Sequence, residues 1–268
     1  MPLTLKTRKQ DFQYFSEPLA DSLDLEMMLI PKGQFMMGCP DSEEGENDEK
    51  PQHLVTIAQF FMAKTPVTQA QWRVVAGMPQ IDRALKPDPS RFKGANCPVE
   101  QVSWYEAIEF CQRLSTHTSR TYTLPTEAQW EYACRAGTKT PFYFGETITS
   151  EVANYNARFL YGLGAKGKYR EETTPVDLFA VANPFGLWDM HGNVREWCLD
   201  DWHGSYEGAP IDGSAWLTSG DSSVKILRGG SWLSNPRNCR SAYRRQYNPD
   251  KRNDCYGFRV VCLLKGSA

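Results

Sequence analysis

The chain has 268 residues, which is enough for one large domain with a substantial hydrophobic core. Its formal net charge of −2 excludes a strongly basic protein, so we expect no general affinity for nucleic acid or anionic membranes. No run of 18 apolar residues occurs and the N-terminus lacks an apolar core, which predicts a cytoplasmic protein without a signal peptide or membrane segment. Eight scattered cysteines without CxxC spacing predict free thiols, with disulfides as the alternative if the protein is exported.

The N-terminal part of the chain shows strand patterns around an acidic run. Residues 1–24 have weak periodicity and predict a lead-in with a short helix, before a single domain over residues 25–268. A strand–turn–strand pattern follows, with Gly33 at the turn. The acidic run over residues 39–52 is expected to be a solvated loop, and residues 53–68 are predicted to form the next strand.

Three helices are predicted from the residues that precede them. Thr68 and Thr126 are suitable N-caps, and Ser103 has Glu106 three residues later, which is the spacing of a capping box. Between the first two helices, residues 77–97 contain three prolines and predict an irregular loop.

Several segments resemble, in the same order, the formylglycine-generating enzyme (sulfatase-modifying factor) family, a variant of the C-type lectin fold. They lie between about Met28 and Cys262 and are IPKGQFMMG, VTQAQW, PVEQVSWYEAIEFCQRLS, LPTEAQWEYACRAG, NPFGLWDMHGNVREWCLDDW, LRGGSW and GFRVV. The resemblance implies an α+β, C-type lectin-like fold of the formylglycine-generating-enzyme type. Two helices would pack on a small antiparallel sheet, and most of the chain would form ordered loops.

The family includes enzymes, but fold does not decide function. Members that oxidise a sulfatase cysteine hold copper through two cysteines five residues apart, after a Gly-Gly-Ser-aromatic start that is present here at residues 229–232. Ser234 stands at the first cysteine position and Cys239 at the second. A neutral hydroxyl is a poor replacement for a thiolate ligand of Cu(I). That activity is therefore not expected, and Cys239 is expected to be a packed thiol.

A second branch of the family makes sulfoxides with iron held by three histidines. The four histidines of this chain are far apart and lack HxxxH or HxH spacing: His53, His117, His191 and His203. This branch is not favoured either, and His191 is expected to be structural. A metal-dependent oxidase or oxygenase with an altered metal site remains the alternative function.

The loop DMHGNVRE matches a calcium-binding loop of the family. Carried over, the resemblance implies Asp189 and Glu196 as side-chain ligands, together with the carbonyls of Gly192 and Val194. Hard oxygen ligands of mixed type are suited to calcium. The alternative is that the two carboxylates only hydrogen-bond the backbone of the turn.

The segment from Arg228 to Val261 most resembles a narrower group, the variable proteins of diversity-generating retroelements. In those systems an error-prone copy of a template repeat randomises adenines at the 3′ end of the gene, so fixed residues alternate with variable ones. An AAC codon changed at both adenines encodes residues of every chemical class but never a stop. Residues accessible in this way are Leu233, Ser234, Tyr243, Arg245, Tyr247, Asp254, Cys255 and Tyr256.

This C-terminal segment is expected to be a binding site and not an active site. Its Gly and Pro residues set turns, while Tyr, Arg and Asn supply contact area and adaptable hydrogen bonds; the alternative is a polar loop with chance aromatics. Six cations over residues 237–252 add a weaker expectation of an anionic partner. We predict a non-catalytic protein that binds an unknown ligand, expected to be a protein, through Trp232, Leu233, Ser234, Asn235, Asn238, Tyr243, Arg245, Gln246, Tyr247, Lys251, Asn253, Asp254, Cys255 and Tyr256.

Overall fold

The computed structural model describes residues 11–218 and 224–264. Its strands are β1 (Tyr14–Ala20), β2 (Leu23–Ile30), β3 (Gly33–Met37), β4 (His53–Ile57), β5 (Phe60–Ala63), β6 (Thr121–Thr123), β7 (Arg195–Asp201), β8 (Lys225–Arg228), β9 (Arg245–Tyr247), β10 (Tyr256–Gly257) and β11 (Val261–Leu263). Its helices are α1 (Gln69–Ala76), α2 (Trp104–Thr118) and α3 (Glu127–Arg135), with short 3₁₀ turns at Asn47–Glu49 and Pro236–Cys239.

The strands form three small sheets that are joined by long loops. A five-stranded antiparallel sheet has the order β1-β2-β5-β11-β6, and a four-stranded sheet has the order β10-β7-β8-β9. The pair β10–β7 is parallel, and β3 pairs only with β4. Few helices and small, mostly antiparallel sheets confirm the α+β, C-type lectin-like prediction, with three helices instead of two.

The short helix expected before residue 25 is absent from residues 11–24, where β1 lies, and residues 1–10 are outside the described residues. β1 pairs with β2 from Tyr14 opposite Met28 to Ala20 opposite Leu23. Its inward side chains alternate with exposed ones, which is the period-2 pattern of an edge strand with one buried face. The lead-in therefore extends the sheet of the domain.

Residues 53–68, predicted as one strand, form two strands in different sheets. β4 pairs with β3, whereas β5 pairs with β2 and β11. Gly33 is the first residue of β3 and does not lie in a hairpin turn, because β2 and β3 have different partners. Local alternation locates such strands, but pairing depends on which apolar faces meet in the folded chain.

The three predicted helices are confirmed, each with a complete capping box. The side chains of Thr68, Ser103 and Thr126 accept a hydrogen bond from the backbone N–H three residues later, and the Gln or Glu there accepts from the N–H of the cap residue. Such a cap contributes about 1 kcal/mol to helix stability. Residues 77–97 form an irregular loop as predicted, and no helix of the described residues could cross a membrane.

An aromatic cluster joins the C-terminal end of the chain to the helices. The Trp72 ring of α1 stacks on Phe110 of α2 with centroids 5.7 Å apart, and Phe258 contacts both rings edge-on. All three side chains are buried, as are all eight cysteines, which are free thiols as predicted. The C-terminal segment is thus anchored at its far end by large apolar contacts.

Candidate functional site

The segment over residues 228–261 begins with a turn that only glycine fits. Gly229 and Gly230 have φ values of 86° and 72°, in the left-handed region. A Cβ atom on Gly230 would lie 2.5 Å from Cys239 Sγ, and one on Gly229 would lie 3.0 Å from the Trp130 ring. The turn is therefore fixed by both conformation and close packing.

Buried ion pairs hold the segment to helix α3. Arg228 is fully buried, and its Nη1 and Nη2 lie 2.6 and 2.7 Å from the carboxylates of Glu127 and Glu131. Arg244 donates to the same Glu127 carboxylate through Nε and Nη2, at 2.7 and 2.9 Å. Burial would raise the pKa of Glu127, but Arg244 and Arg228 outweigh it and hold this pKa below its ordinary value. One carboxylate thereby links two points of the segment 16 residues apart in sequence.

A further ion pair joins the segment to the acidic loop, residues 39–52. The two terminal nitrogens of Arg240 lie 2.8 and 2.7 Å from the two carboxylate oxygens of Glu49, and Nη1 also contacts Glu43 at 2.7 Å. Arg240 and Glu49 are fully buried. The loop is mostly solvated, as expected, but Glu49 is buried and its charge is neutralised by an arginine 191 residues away, which composition does not show.

The six cations over residues 237–252 do not form a freely available cationic patch. Four of the six cations pair with carboxylates: Arg237, Arg240, Arg244 and Arg252. Within residues 11–218 and 224–264, only Arg245 and Lys251 of this set have no carboxylate within 4.0 Å. Most of the positive charge stabilises the fold, and little of it is available to an anionic partner.

The structure divides the fourteen predicted ligand residues by exposure. Exposed side chains are Leu233, Asn235, Arg245, Gln246 and Lys251. Half-buried side chains are Asn238, Tyr247, Asn253 and Asp254. Buried side chains are Trp232, Ser234, Tyr243, Cys255 and Tyr256. The exposed and half-buried side chains are accessible to a ligand in this conformation.

The prediction that Ser234, Cys255 and Tyr256 are displayed is wrong. The Ser234 hydroxyl accepts from Ser231 N at 2.9 Å and from Arg195 Nη2 at 3.0 Å, and it is 2% exposed. Tyr256 packs against the Trp197 ring, and the adjacent Cys255 is 4% exposed. Codon accessibility does not distinguish a surface position from a packed one, because burial depends on distant elements.

Trp232 and Tyr243 are each 8% exposed, so only an edge of each ring is accessible. Trp232 donates from Nε1 to the Asp254 carbonyl at 2.9 Å, which fixes the two ends of the segment to one another. Trp232, predicted as a ligand residue, is therefore mainly an anchor of the frame.

Four predicted residues lie together in a cleft between the segment and the acidic loop. The cleft has a volume of about 470 Å³. Its segment side carries Asn238, Tyr243, Arg245 and Gln246, and the acidic loop contributes Glu46, Asn47 and Asp48. Because Arg240 holds the loop in place, both walls of this cleft are fixed. We call it the first cleft.

A second cleft, of about 740 Å³, lies beside Asn235 and Arg237. Its other wall includes Leu160 and Leu163, which are 52% and 84% exposed, and the Asn156 N–H ties this loop to the Ser234 carbonyl at 3.0 Å. Sequence reasoning missed this wall, because the apolar residues of an irregular loop show no periodicity. Exposed leucines beside polar residues are typical of protein-binding surfaces.

The remaining predicted residues lie outside both clefts. Asn253 accepts from the backbone N–H of Gln101 through its carbonyl, and Asp254 pairs with Arg91. Lys251 is exposed near them in sequence. The predicted set is therefore spread over more than one surface.

The position of the first family cysteine is occupied by a hydroxyl bound to a guanidinium. Arg195 Nη2 donates to Ser234 Oγ at 3.0 Å. Cys239 is fully buried, and burial raises the pKa of its thiol to about 12. A cation beside Ser234 and a protonated thiol at Cys239 disfavour copper at this place.

His191 is structural, as predicted. Its Nδ1 lies 2.7 Å from the Cys239 carbonyl and must donate, while Nε2 accepts from the Tyr143 N–H at 3.1 Å. Burial lowers the pKa of His191 to about 3, so the ring is neutral. It holds the loop of residues 189–196 to the C-terminal segment.

The predicted calcium residues lie in a tight turn at the start of β7. Glu196 is 1% exposed and accepts from Arg259 Nε and Nη2, at 2.6 and 2.8 Å. Burial raises the pKa of Asp189 to about 7, even though Asn193 donates to its carboxylate at 2.9 Å. Asp189 thus has no strong cationic partner, whereas Glu196 would share its carboxylate with Arg259. Asp189 and the carbonyls of Gly192 and Val194 are suited to calcium, but both oxygens of Glu196 are already bound, by Arg259 and by Trp130 Nε1 at 2.7 Å, so calcium binding would require Glu196 to release Arg259.

Comparison with known proteins gives matches over almost the whole chain. The model of the sulfatase-modifying factor enzyme 1-like domain matches residues 16–263. A serine/threonine-protein kinase pkn1 of Chlamydia caviae is 33% identical over 260 residues, which cover 90% of this chain but 38% of the kinase. The chain therefore spans well under half the length of that relative.

Two solved structures share the fold. PvdO from Pseudomonas aeruginosa superimposes with a TM-score of 0.79 at 33% identity, over 96% of this chain and 100% of that one. Treponema denticola variable protein 1 superimposes with a TM-score of 0.72 at 24% identity, over 93% and 98% of the two chains.

Proposed function

Because the chain belongs to the sulfatase-modifying factor enzyme 1-like family, we propose that it is a non-catalytic member of this family that binds a macromolecular ligand, expected to be a protein. The C-terminal segment provides the contact surface, and the exposed positions that randomised AAC codons can reach, Leu233 and Arg245, were diversified by a retroelement. The fold shared with a Treponema variable protein makes this scaffold suitable for display.

The observation that carries the proposal is the contrast between a fixed frame and exposed side chains. Arg228, Arg240 and Arg244 are buried in ion pairs, so the backbone between them is held rigidly. Exposed Arg245 and Gln246 project from this frame into the first cleft. A rigid frame lowers the entropy lost on binding, whatever the identity of the displayed residues.

The origin of the segment has a direct genomic test. We expect the DNA near the gene to contain a near-copy of the coding sequence of residues 228–261 and a reverse-transcriptase gene. Nucleotide differences between this copy and the coding sequence should fall almost only at adenines of the copy. If the neighbouring DNA holds neither feature, diversification is ruled out and the binding surface is a fixed one.

The binding surface is tested by substitution of exposed residues. Changing Leu233, Asn235, Arg245 and Gln246 together to Ser should weaken ligand capture at least about 30-fold. The reason is that truncating residues at the centre of an interface typically costs about 2 kcal/mol or more of binding free energy. The matched control changes the same residue types on other exposed surfaces to Ser: Leu178, Asn96, Arg73 and Gln80. Quantitative co-purification from lysates checks this result. Equal capture by the two variants would contradict the proposed surface.

An altered oxidase is the second candidate, favoured by the retention of Cys239 at a family ligand position. Copper titration of the purified protein, followed by oxygen uptake with thiol peptides, separates the candidates. Stoichiometric copper binding that is lost in Cys239→Ala would establish the enzyme. We expect no such binding, because Arg195 lies where the metal charge would be.

We propose calcium as a structural ligand of residues 189–196. Asp189, Glu196 and the carbonyls of Gly192 and Val194 would hold the ion, which would neutralise the uncompensated Asp189 carboxylate. Calcium at 100 times its dissociation constant should stabilise the fold by about 2.7 kcal/mol. Thermal unfolding with calcium and with EGTA should show this difference, and Asp189→Asn should remove it. Equal midpoints for the wild-type protein would exclude the site.

A further inference from the structure

One buried arginine differs from all the others. Among the described residues, six of the seven buried arginines pair with carboxylates: Arg113, Arg135, Arg228, Arg240, Arg244 and Arg259. Arg195 is the seventh and is 8% exposed, yet no carboxylate of the described residues lies within 4.0 Å of it. A buried guanidinium without a counter-charge is costly, so this position calls for an anion that the described residues do not supply.

The contacts of Arg195 leave one edge of the guanidinium free. Nη2 donates to Ser234 Oγ at 3.0 Å, whereas Nη1 is buried without a hydrogen-bond partner. The Tyr243 ring lies 5.8 Å from the guanidinium carbon. Neighbouring thiols do not supply negative charge, because burial raises the pKa of Cys239 to about 12 and that of Cys255 to about 11, although Arg195 opposes both shifts.

We propose that Arg195 binds a carboxylate through Nη1, beneath the ring of Tyr243. A carboxylate matches the planar guanidinium in shape and charge, and it would supply the acceptor that Nη1 lacks. Tyr243 also lines the first cleft. A rotation of this side chain would admit the carboxylate from the cleft to the guanidinium.

The site goes beyond the proposed function, because it does not depend on whether the segment was diversified. The carboxylate has two possible sources, a small free acid or an acidic side chain of a peptide. Both present the same group to Nη1, so formate and acetate serve as the smallest probes of the site.

The test is thermal unfolding of the full chain at constant ionic strength, with sodium formate or acetate replacing sodium chloride. A saturable rise in the midpoint is expected, about 5 °C at 100 times the dissociation constant. Arg195→Gln should remove the rise. Arg73→Gln, which changes an exposed arginine of α1, should retain it. Acetyl-glutamate amide is compared with acetyl-glutamine amide, which lacks the carboxylate. If only acetyl-glutamate amide raises the unfolding midpoint, a peptide carboxylate reaches the site.

The wild-type titration decides the proposal even if Arg195→Gln does not fold. Ser234→Ala provides a second variant, since it keeps the guanidinium and removes its hydroxyl acceptor, and it should retain the formate response. If formate, acetate and acetyl-glutamate amide all fail to raise the wild-type midpoint above that in chloride, the site does not exist. A rise that persists in a folded Arg195→Gln protein would equally overturn the assignment.

Discussion

Glu127→Gln is expected to lower the free energy of unfolding by about 3–5 kcal/mol, because it leaves the buried guanidinium of Arg244 without a carboxylate and Arg228 with Glu131 alone. Glu127 is 2% exposed and accepts from Arg228 and Arg244 at distances between 2.6 and 2.9 Å. The thermal midpoint should fall by roughly 10 °C. Chemical denaturation and calorimetry at pH 7 measure the change.

The stability lost in Glu127→Gln should become smaller at acid pH. The pKa of Glu127 in the folded protein is below its ordinary value of 4.5, since the two arginines outweigh the effect of burial. Its stabilising contribution is therefore complete above pH 4.5 and is lost as pH falls through the lower folded value. The difference between the wild type and Glu127→Gln should shrink in acid.

An exposed pair provides the control for this prediction. Arg158 and Glu171 are 65% and 60% exposed and lie 2.7 Å apart. Glu171→Gln should cost less than about 1 kcal/mol, because water screens exposed pairs. If both substitutions have equal effects, the buried network does not hold the segment to α3.

Arg240→Met is expected to cost a similar 3–5 kcal/mol, since Glu49 would remain fully buried without a cation. The acidic loop should then detach from the segment in the native state. A glutamyl endopeptidase should cleave at Glu43 to Glu49 much faster than in the wild type, and amide hydrogen exchange should rise in the same residues.

Arg237→Met is the matched control, because Arg237 pairs with the same loop at an exposed position. Its Nη2 lies 2.9 Å from Glu46, with side chains 39% and 51% exposed. Cleavage in this variant should stay close to the wild-type rate. Unchanged cleavage in Arg240→Met would mean that contacts other than the buried pair hold the loop.

Glu127→Gln and Arg240→Met also distinguish the role of the frame from that of the displayed residues. Both change buried charges and leave Arg245 and Gln246 in place. Ligand capture should nevertheless fall, because the first cleft loses either its acidic-loop wall or the connection of its segment wall to α3. Binding would then depend on the rigidity of the frame as well as on the exposed side chains.

The sequence by itself determined the three helices of this protein and its family. Capping residues at Thr68, Ser103 and Thr126 indicate the helices correctly, since each acts on N–H groups within three residues of itself. The ordered motifs likewise indicate the fold, and Ser234 marks the departure from the copper-binding pattern. These inferences need no knowledge of distant contacts.

The tertiary structure decided how charges are paired and which side chains are displayed. The acidic loop and Arg240 lie 191 residues apart, so their mutual neutralisation has no local signature. Burial of Ser234 and Tyr256, exposure of Leu163 and the unpaired guanidinium of Arg195 depend in the same way on packing between remote segments. Pairing and burial are properties of the folded arrangement, because free energy depends on which groups meet after water is excluded.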